Sequence, residues 1–318
     1  MYNNVSNGTM FVYCRKAKTR AQQRVKLSEH PANPQPSNMD LTNYTKNNWK
    51  NTFLDSAIPS VCKEQPCVLG VDEAGRGPVL GPMVYGICFC PVTRHEDLKS
   101  TGVVDSKTLK EEDREKIFDI IHNNNDFIGW SLEIISPVYI STNMYKRPKV
   151  SLNEISHNSA IGLIKRAISA GVQVSEVYVD TVGPPEKYEA KLQEIFPTLK
   201  VTVAKKADAL YPCVSGASIC AKVARDKALA EWEFPEGTEA RNWGSGYPGD
   251  PVTKNFLQNS LDPVFGFPGL VRFSWSTAEK IMDEKCIPVT WKNTDEEEEE
   301  NNTPISLGIF CCKTKIFR

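Results

Sequence analysis

The hexapeptide Asp72-Glu73-Ala74-Gly75-Arg76-Gly77 follows the apolar run Val68-Leu69-Gly70-Val71 and precedes Pro78. Such a run reads as a buried strand, so two carboxylates and a glycine-rich turn are delivered together at its end. Adjacent carboxylates repel, and one stays protonated unless a cation or several donors neutralise the pair. Gly75 and Gly77 lack Cβ atoms, so a ligand can approach their backbone N–H groups, while Arg76 brings positive charge. The combination suits a divalent metal beside a phosphodiester. A solvated turn with a capping acid is the plain alternative, and the rest of the chain has to decide between them.

With 318 residues, 40% of them hydrophobic, the chain can bury a full core in one large domain or two smaller ones. No apolar run approaches the roughly 18 residues of a membrane span, and the N-terminus has no secretory apolar region. Ten cysteines are scattered without a Cys-x-x-Cys pair, and with only four histidines a zinc site is not expected. Thiols inside runs such as Ile87-Cys88-Phe89-Cys90 read as core residues of an intracellular, reducing compartment. The net charge of −1 argues against a protein that coats nucleic acid generally. Any polyanion binding must come from a local patch or from partner subunits.

Four regions are expected: a disordered polar and basic extension over 1–60, a catalytic core over 61–215, a helical part over 216–285 and an acidic, disordered tail over 286–318. Strands are predicted at Val68–Val71, Val84–Cys90, Phe127–Ile135, Glu176–Val179 and Lys200–Ala204. Helices are predicted from Ser106 to Asn123, Ser156 to Ala170, Pro185 to Phe196, Ser215 to Trp232 and Thr253 to Ser260. Short connections make the first three strands antiparallel, and strand–helix–strand alternation makes the last two parallel. The fold class is therefore α/β, a mixed five-stranded sheet flanked by helices with a helical C-terminal extension.

Three of these strands bring a carboxylate near one end. Asp72 and Glu73 follow the first, Asp180 follows Val177-Tyr178-Val179, and Asp208 lies a few residues beyond Val201-Thr202-Val203-Ala204. Ligand sites gather at such strand ends. Taken singly, Asp180 is as well explained by an Asx-turn and Asp208 by a helix cap. Four converging acids would need cations, and two magnesium ions could clamp the attacking and leaving oxygens of a phosphodiester.

Here the chain resembles a known family. The segment from Val68 to Pro82 is similar to the signature of type 2 ribonucleases H, the ribonuclease HII family. So are Asp105–Leu109, Val179–Gly183, Lys206–Pro212, Ser218–Asp226 and Gly244–Pro248, in the expected order. Val264–Pro268 and Val271–Trp275 resemble the eukaryotic catalytic subunit of a heterotrimeric enzyme. The resemblance covers about residues 61–285. It implies a ribonuclease H-like fold, with Asp72, Glu73, Asp180 and Asp208 as catalytic, metal-binding acids for Mg²⁺, with Mn²⁺ as the second choice.

It further implies that Gly75, Arg76 and Gly77 read the ribose 2′-hydroxyl and that Tyr247 contacts the same group and packs on the next sugar. Lys107 resembles a phosphate contact, and Lys222 and Arg225 lie three apart on one helix face where they could hold the backbone. The implied activity cleaves RNA in RNA–DNA hybrids and incises 5′ of single ribonucleotides in duplex DNA, leaving a 5′-phosphate and a 3′-hydroxyl. Primer removal and ribonucleotide excision in the nucleus, with a cytoplasmic pool as a second location, and two non-catalytic partner subunits follow from the same likeness. A strand transferase of the same fold would have no use for a 2′-hydroxyl reader, and an inactive scaffold would not need all four acids. Two departures stand out: Ser151-Leu152, where relatives often carry Asn and an apolar residue, and Phe234–Gly237, which breaks an expected helix.

Overall fold

The apolar run before Asp72 lies in a strand, Cys67–Ala74, whose first six residues are all buried. A strand covered on both faces belongs at the centre of a sheet. The computed structural model describes residues 39–103, 109–237 and 242–288. In chain order the elements are α1 (Thr42–Lys46), β1 (Thr52–Asp55), α2 (Ser60–Glu64), β2 (Cys67–Ala74), β3 (Met83–Pro91), α3 (His95–Ser100), α4 (Glu111–Asn123) and β4 (Gly129–Ile135). There follow α5 (Pro137–Tyr145), α6 (Leu152–Ser169), β5 (Val174–Asp180), α7 (Pro185–Ile195), β6 (Lys200–Ala204), α8 (Ala207–Leu210), α9 (Pro212–Ala230), α10 (Pro251–Ser260) and α11 (Ser276–Lys285).

The strands form one mixed sheet in the order β1-β4-β3-β2-β5-β6. β1, β4, β3 and β2 are antiparallel neighbours, while β2, β5 and β6 run parallel. The sheet has six strands rather than the expected five. The extra strand lies inside the segment expected to be a disordered extension, of which residues 1–38 fall outside the described residues. Met39, Leu41 and Tyr44 are buried, and Tyr44 meets Trp232 edge-on at 6.2 Å. Four residues of β1 are too few to give a periodic signal against an Asn-rich background.

Each face of the sheet carries its own core. On one side Val68, Cys88, Leu132, Ala217 and Ala221 pack beneath α9. On the other Leu69, Val71, Ile87, Leu163 and Leu192 pack against α6 and α7. α9 lies unusually close: a Cβ on Gly70 would sit 2.2 Å from the Cys213 carbonyl carbon, and one on Gly86 2.9 Å from the Ala217 oxygen. The helix expected from Ser215 to Trp232 is α9, which begins at Pro212 and packs on the sheet, in keeping with a helical part that belongs to the catalytic unit. Cys62, Cys67, Cys88, Cys90, Cys213 and Cys220 are buried free thiols. α4 begins at Glu111, since Lys110 is extended. The Phe234–Gly237 departure is a turn whose Phe234 packs between Trp232 and Trp243 at 6.5 and 6.0 Å, extending an aromatic ladder to Phe256. The acidic run in 289–318 is outside the described residues.

Candidate active site

Parallel pairing aligns Val71 with Val179, so Asp72 and Asp180 stand abreast on neighbouring strands and share a face. Asp180 in turn is level with Ala204, the last residue of β6. Lys206 then adopts a left-handed conformation, with φ of 56°. That reversal turns the Ala207 N–H back to donate to Asp180 Oδ1 at 2.9 Å and sets Asp208, which is buried, beside the other two. Asp72 Oδ1 accepts from the Glu73 N–H at 2.8 Å, and its carboxyl also takes a hydrogen bond from Ser218 on α9.

Glu73, one residue on, points to the opposite side of the strand. Its register partner is Tyr85, and Tyr188 of α7 lies close by. The Glu73 Oε2 atom is buried with no hydrogen-bond partner. Burial, and then the charges of Asp180 and Asp208, push the Asp72 carboxyl up to about 7 despite the Ser218 hydrogen bond. Burial, followed by Asp72 and Asp180, pushes Glu73 up to about 8, with Arg76 opposing. An all-oxygen donor set with an orphaned buried carboxylate oxygen fits a hard divalent cation. Among the described residues no three His, Cys, Asp or Glu side chains are already drawn into a metal cage.

The turn after Glu73 is held from behind. Arg272, fully buried, donates from Nε to the Gly81 carbonyl at 2.8 Å, from Nη1 to the Arg76 carbonyl at 3.1 Å and from Nη2 to the Gly75 carbonyl at 2.6 Å. Trp275 Nε1 donates to the Gly77 carbonyl at 3.1 Å. With their carbonyls engaged inward, the peptide units of this turn are fixed in orientation. Burial, with the nearby Arg225 charge, pushes the Arg272 guanidinium down to about 9.

Gly75 has φ of 76°, and a Cβ there would meet Arg225 Nε at 2.1 Å and the Pro82 oxygen at 2.8 Å. The glycine at 75 is therefore required by what lies inside the molecule, and not by the approach of a sugar alone. A Cβ on Gly77 would instead touch the Tyr247 ring at 3.3 Å. Tyr247 is half exposed on a loop tied to the turn by Val79 N–H donating to the Gly246 carbonyl at 2.8 Å. Asp250 anchors that loop, accepting from the Ser245 N–H at 2.6 Å and its hydroxyl at 2.7 Å.

The residues expected from sequence thus largely meet. Asp72, Asp180 and Asp208 share one face, Glu73 approaches from the other, and Gly75, Gly77, Arg225 and Tyr247 form a contiguous group. Arg225 has buried Nε and Nη2 atoms without a partner. Arg76 is turned toward α6, where it donates to Asn153 Oδ1. Lys222 is partly buried one turn before Arg225 on α9. Lys107 lies outside the described residues. Arg272, Trp275, Ser218 and Asn153 were not expected at the site, although an arginine between Leu270-Val271 and Phe273 was the available signal of a buried, structural cation.

A sheet whose parallel strand ends bring buried carboxylates beside a clamped glycine turn defines a ribonuclease H-like enzyme. A family model described as ribonuclease HII matches residues 69–278. A ribonuclease H2 subunit from Rattus norvegicus is 53% identical over 87% of this chain and 95% of its own length. The Homo sapiens protein of the same name is 53% identical, over 82% of this chain and 88% of its own. Among solved structures, ribonuclease H2 from Pyrococcus horikoshii is 32% identical with a TM-score of 0.59, covering 69% of this chain and 98% of that one. The chain belongs to the ribonuclease HII family, and its activity is that of a ribonuclease H.

Proposed function

We propose that this enzyme hydrolyses RNA in RNA–DNA hybrids and incises 5′ of single ribonucleotides embedded in duplex DNA, leaving a 5′-phosphate and a 3′-hydroxyl. The observation that carries the reading is the juxtaposition of Asp72, Asp180 and Asp208 with the Arg272-held turn and Tyr247. Asp72, Glu73, Asp180 and Asp208 would hold divalent cations, Mg²⁺ or Mn²⁺. Such ions supply Lewis acidity and an activated water at neutral pH. A ribonuclease HIII has been solved in complex with Mn²⁺, at 14% identity to this chain.

The chain's own residues do the rest. The peptide N–H groups of Gly75–Gly77, fixed in orientation from behind, can meet a 2′-hydroxyl, the one group that marks a ribose. Tyr247 offers a flat, half-exposed ring at the neighbouring sugar. Arg225, buried and short of acceptors, would complete its hydrogen bonds on a backbone phosphate. Lys222 and Lys107 fit the same phosphate role. Relatives named as one subunit of ribonuclease H2 support assembly with non-catalytic subunits, which we propose number two. Duplex DNA carrying misplaced ribonucleotides makes the nucleus the expected compartment, and repair and primer removal the expected roles.

The test is incision of a duplex carrying one ribonucleotide, in Mg²⁺, by the purified chain with its co-expressed partners. Cleavage on the 5′ side of the ribose, abolished by Asp208→Asn, is expected. Absence of incision, or incision indifferent to Asp208→Asn, overturns the reading.

A further inference from the structure

Lys146, Arg147 and Lys149 place three cations within four residues of the loop between α5 and α6, and all three are exposed. None of them is in an ion pair with a carboxylate among the described residues, whereas Arg94, Arg114, Arg166 and Lys200 are. Lys146 Nζ bonds instead to the neutral amide of Asn143 at 2.9 Å. The loop is pinned at both ends: the Lys146 and Val150 N–H groups both donate to the Asn143 carbonyl, at 3.3 and 3.1 Å. An ordered loop holding unneutralised positive charge in a protein of net charge −1 is a local cationic patch suited to a polyanion.

Its position identifies the polyanion. Ser151 caps α6 through the Glu154 N–H at 3.1 Å, and Asn153 in that first turn receives the Arg76 guanidinium. Lys149 is four residues from Asn153, at most about 14 Å even if that stretch were extended. Phosphates on one strand of a duplex recur every 3.4 Å or so along its axis, so a duplex seated at Arg76 reaches the loop within about four nucleotides. Along the chain Glu154 is the one carboxylate within five residues of the loop, and across the fold Glu279 accepts from the Tyr145 hydroxyl at 3.0 Å just before it.

We infer that the Lys146–Lys149 loop grips the phosphate backbone of the substrate duplex, extending the binding track beyond Arg76 away from the acids. This rests on the proposed function, of which it specifies the substrate footprint. α5, which leads into the loop, starts at the end of the sheet where β2 and β4 finish. Lys63 on α2 and Lys99 on α3, the latter 3.6 Å from Glu96, lie at the opposite end, where β2 begins and β3 ends, and serve as controls that remove the same formal charge.

The full-length chain and the variants R147Q/K149Q, R147K/K149R and K63Q/K99Q would be assayed on the single-ribonucleotide duplex from 50 to 200 mM KCl. R147Q/K149Q is expected to lower kcat/KM severalfold at the higher salt and to reduce the slope of log(kcat/KM) against log[salt] by about 1–2. R147K/K149R and K63Q/K99Q are expected to keep the original slope. An unchanged slope in R147Q/K149Q at unchanged Tm overturns the inference, as does an equal change in K63Q/K99Q. Loss of co-purifying subunits at an unchanged slope would make the loop a protein contact and overturn it too. If the unsubstituted chain does not cut at all, it is the functional reading that has failed, and the footprint falls with it.

Discussion

Arg272 is a buried cation that meets three carbonyls and no carboxylate in hydrogen bonds. Its guanidinium suits this because its donors diverge in a fixed plane, which an ammonium cannot reproduce. Arg272→Lys should therefore fail to rescue what Arg272→Gln loses. Both should lower unfolding stability by about 2–5 kcal/mol, since each buried carbonyl stripped of its donor costs about 1–3. Urea midpoints check the stability. A KM increase on a ribonucleotide-containing duplex, measured where each variant is still folded, checks the positioning of the turn. Gly75→Ser should be at least as damaging, because the new Cβ collides with Arg225 and Pro82 in a left-handed backbone. Gly77→Ala meets only the rim of the Tyr247 ring and should cost less than 1 kcal/mol while still lowering kcat/KM. The motif around Gly75 was readable in the sequence, but the partner that demands the glycine was not. Arg225 lies 150 residues away, and no local pattern reports such a contact.

The register between β2 and β5 and the turn at Lys206 bring the acids together. Pairing of Val71 with Val179 is dictated by matching buried faces, because a one-residue slip would turn Val177 and Val179 outward. The left-handed turn at Lys206 is the less forgiving part. Lys206→Val should strain it, lifting Ala207 from Asp180 and cutting kcat at least tenfold. Lys206→Gly should leave kcat close to the parent, since glycine adopts that conformation freely. Single-turnover rates separate the two outcomes. Elements with strong periodicity were legible, and β6 runs over the very residues that its alternation marks. β1 was not, because its stability comes from pairing with β4, and Thr52–Asp55 carries no alternation long enough to detect.

Across the whole molecule the buried acids set how stability responds to pH. Asp72 and Glu73 hold protons up to about 7 and about 8, while in the unfolded chain they lose them near 3.8 and 4.5. Between about pH 4.5 and 8 the native state therefore binds more protons, and stability falls as pH rises. In EDTA the Tm should drop by several degrees from pH 5 to 8.5. Asp72→Asn with Glu73→Gln should flatten that dependence, and Mn²⁺ at pH 8 should raise the Tm of the parent but not of the double variant. A Tm rising with pH in EDTA would contradict the assignment. Composition had pointed to a near-neutral body needing a local patch for polyanions, but where such a patch lies depends on how helices are laid across the sheet.

The stitching of residues 75–81 to Leu270, Val271, Arg272 and Trp275 also has a consequence for the order of synthesis. A nascent chain can complete its sheet and line up its acids before residue 270 has left the ribosome. Until Arg272 arrives, the Gly75, Arg76 and Gly81 carbonyls lack the donors that hold the turn from behind. A chain ending before residue 270 would therefore keep its buried carboxylates but lose the donors that fix the turn beside them.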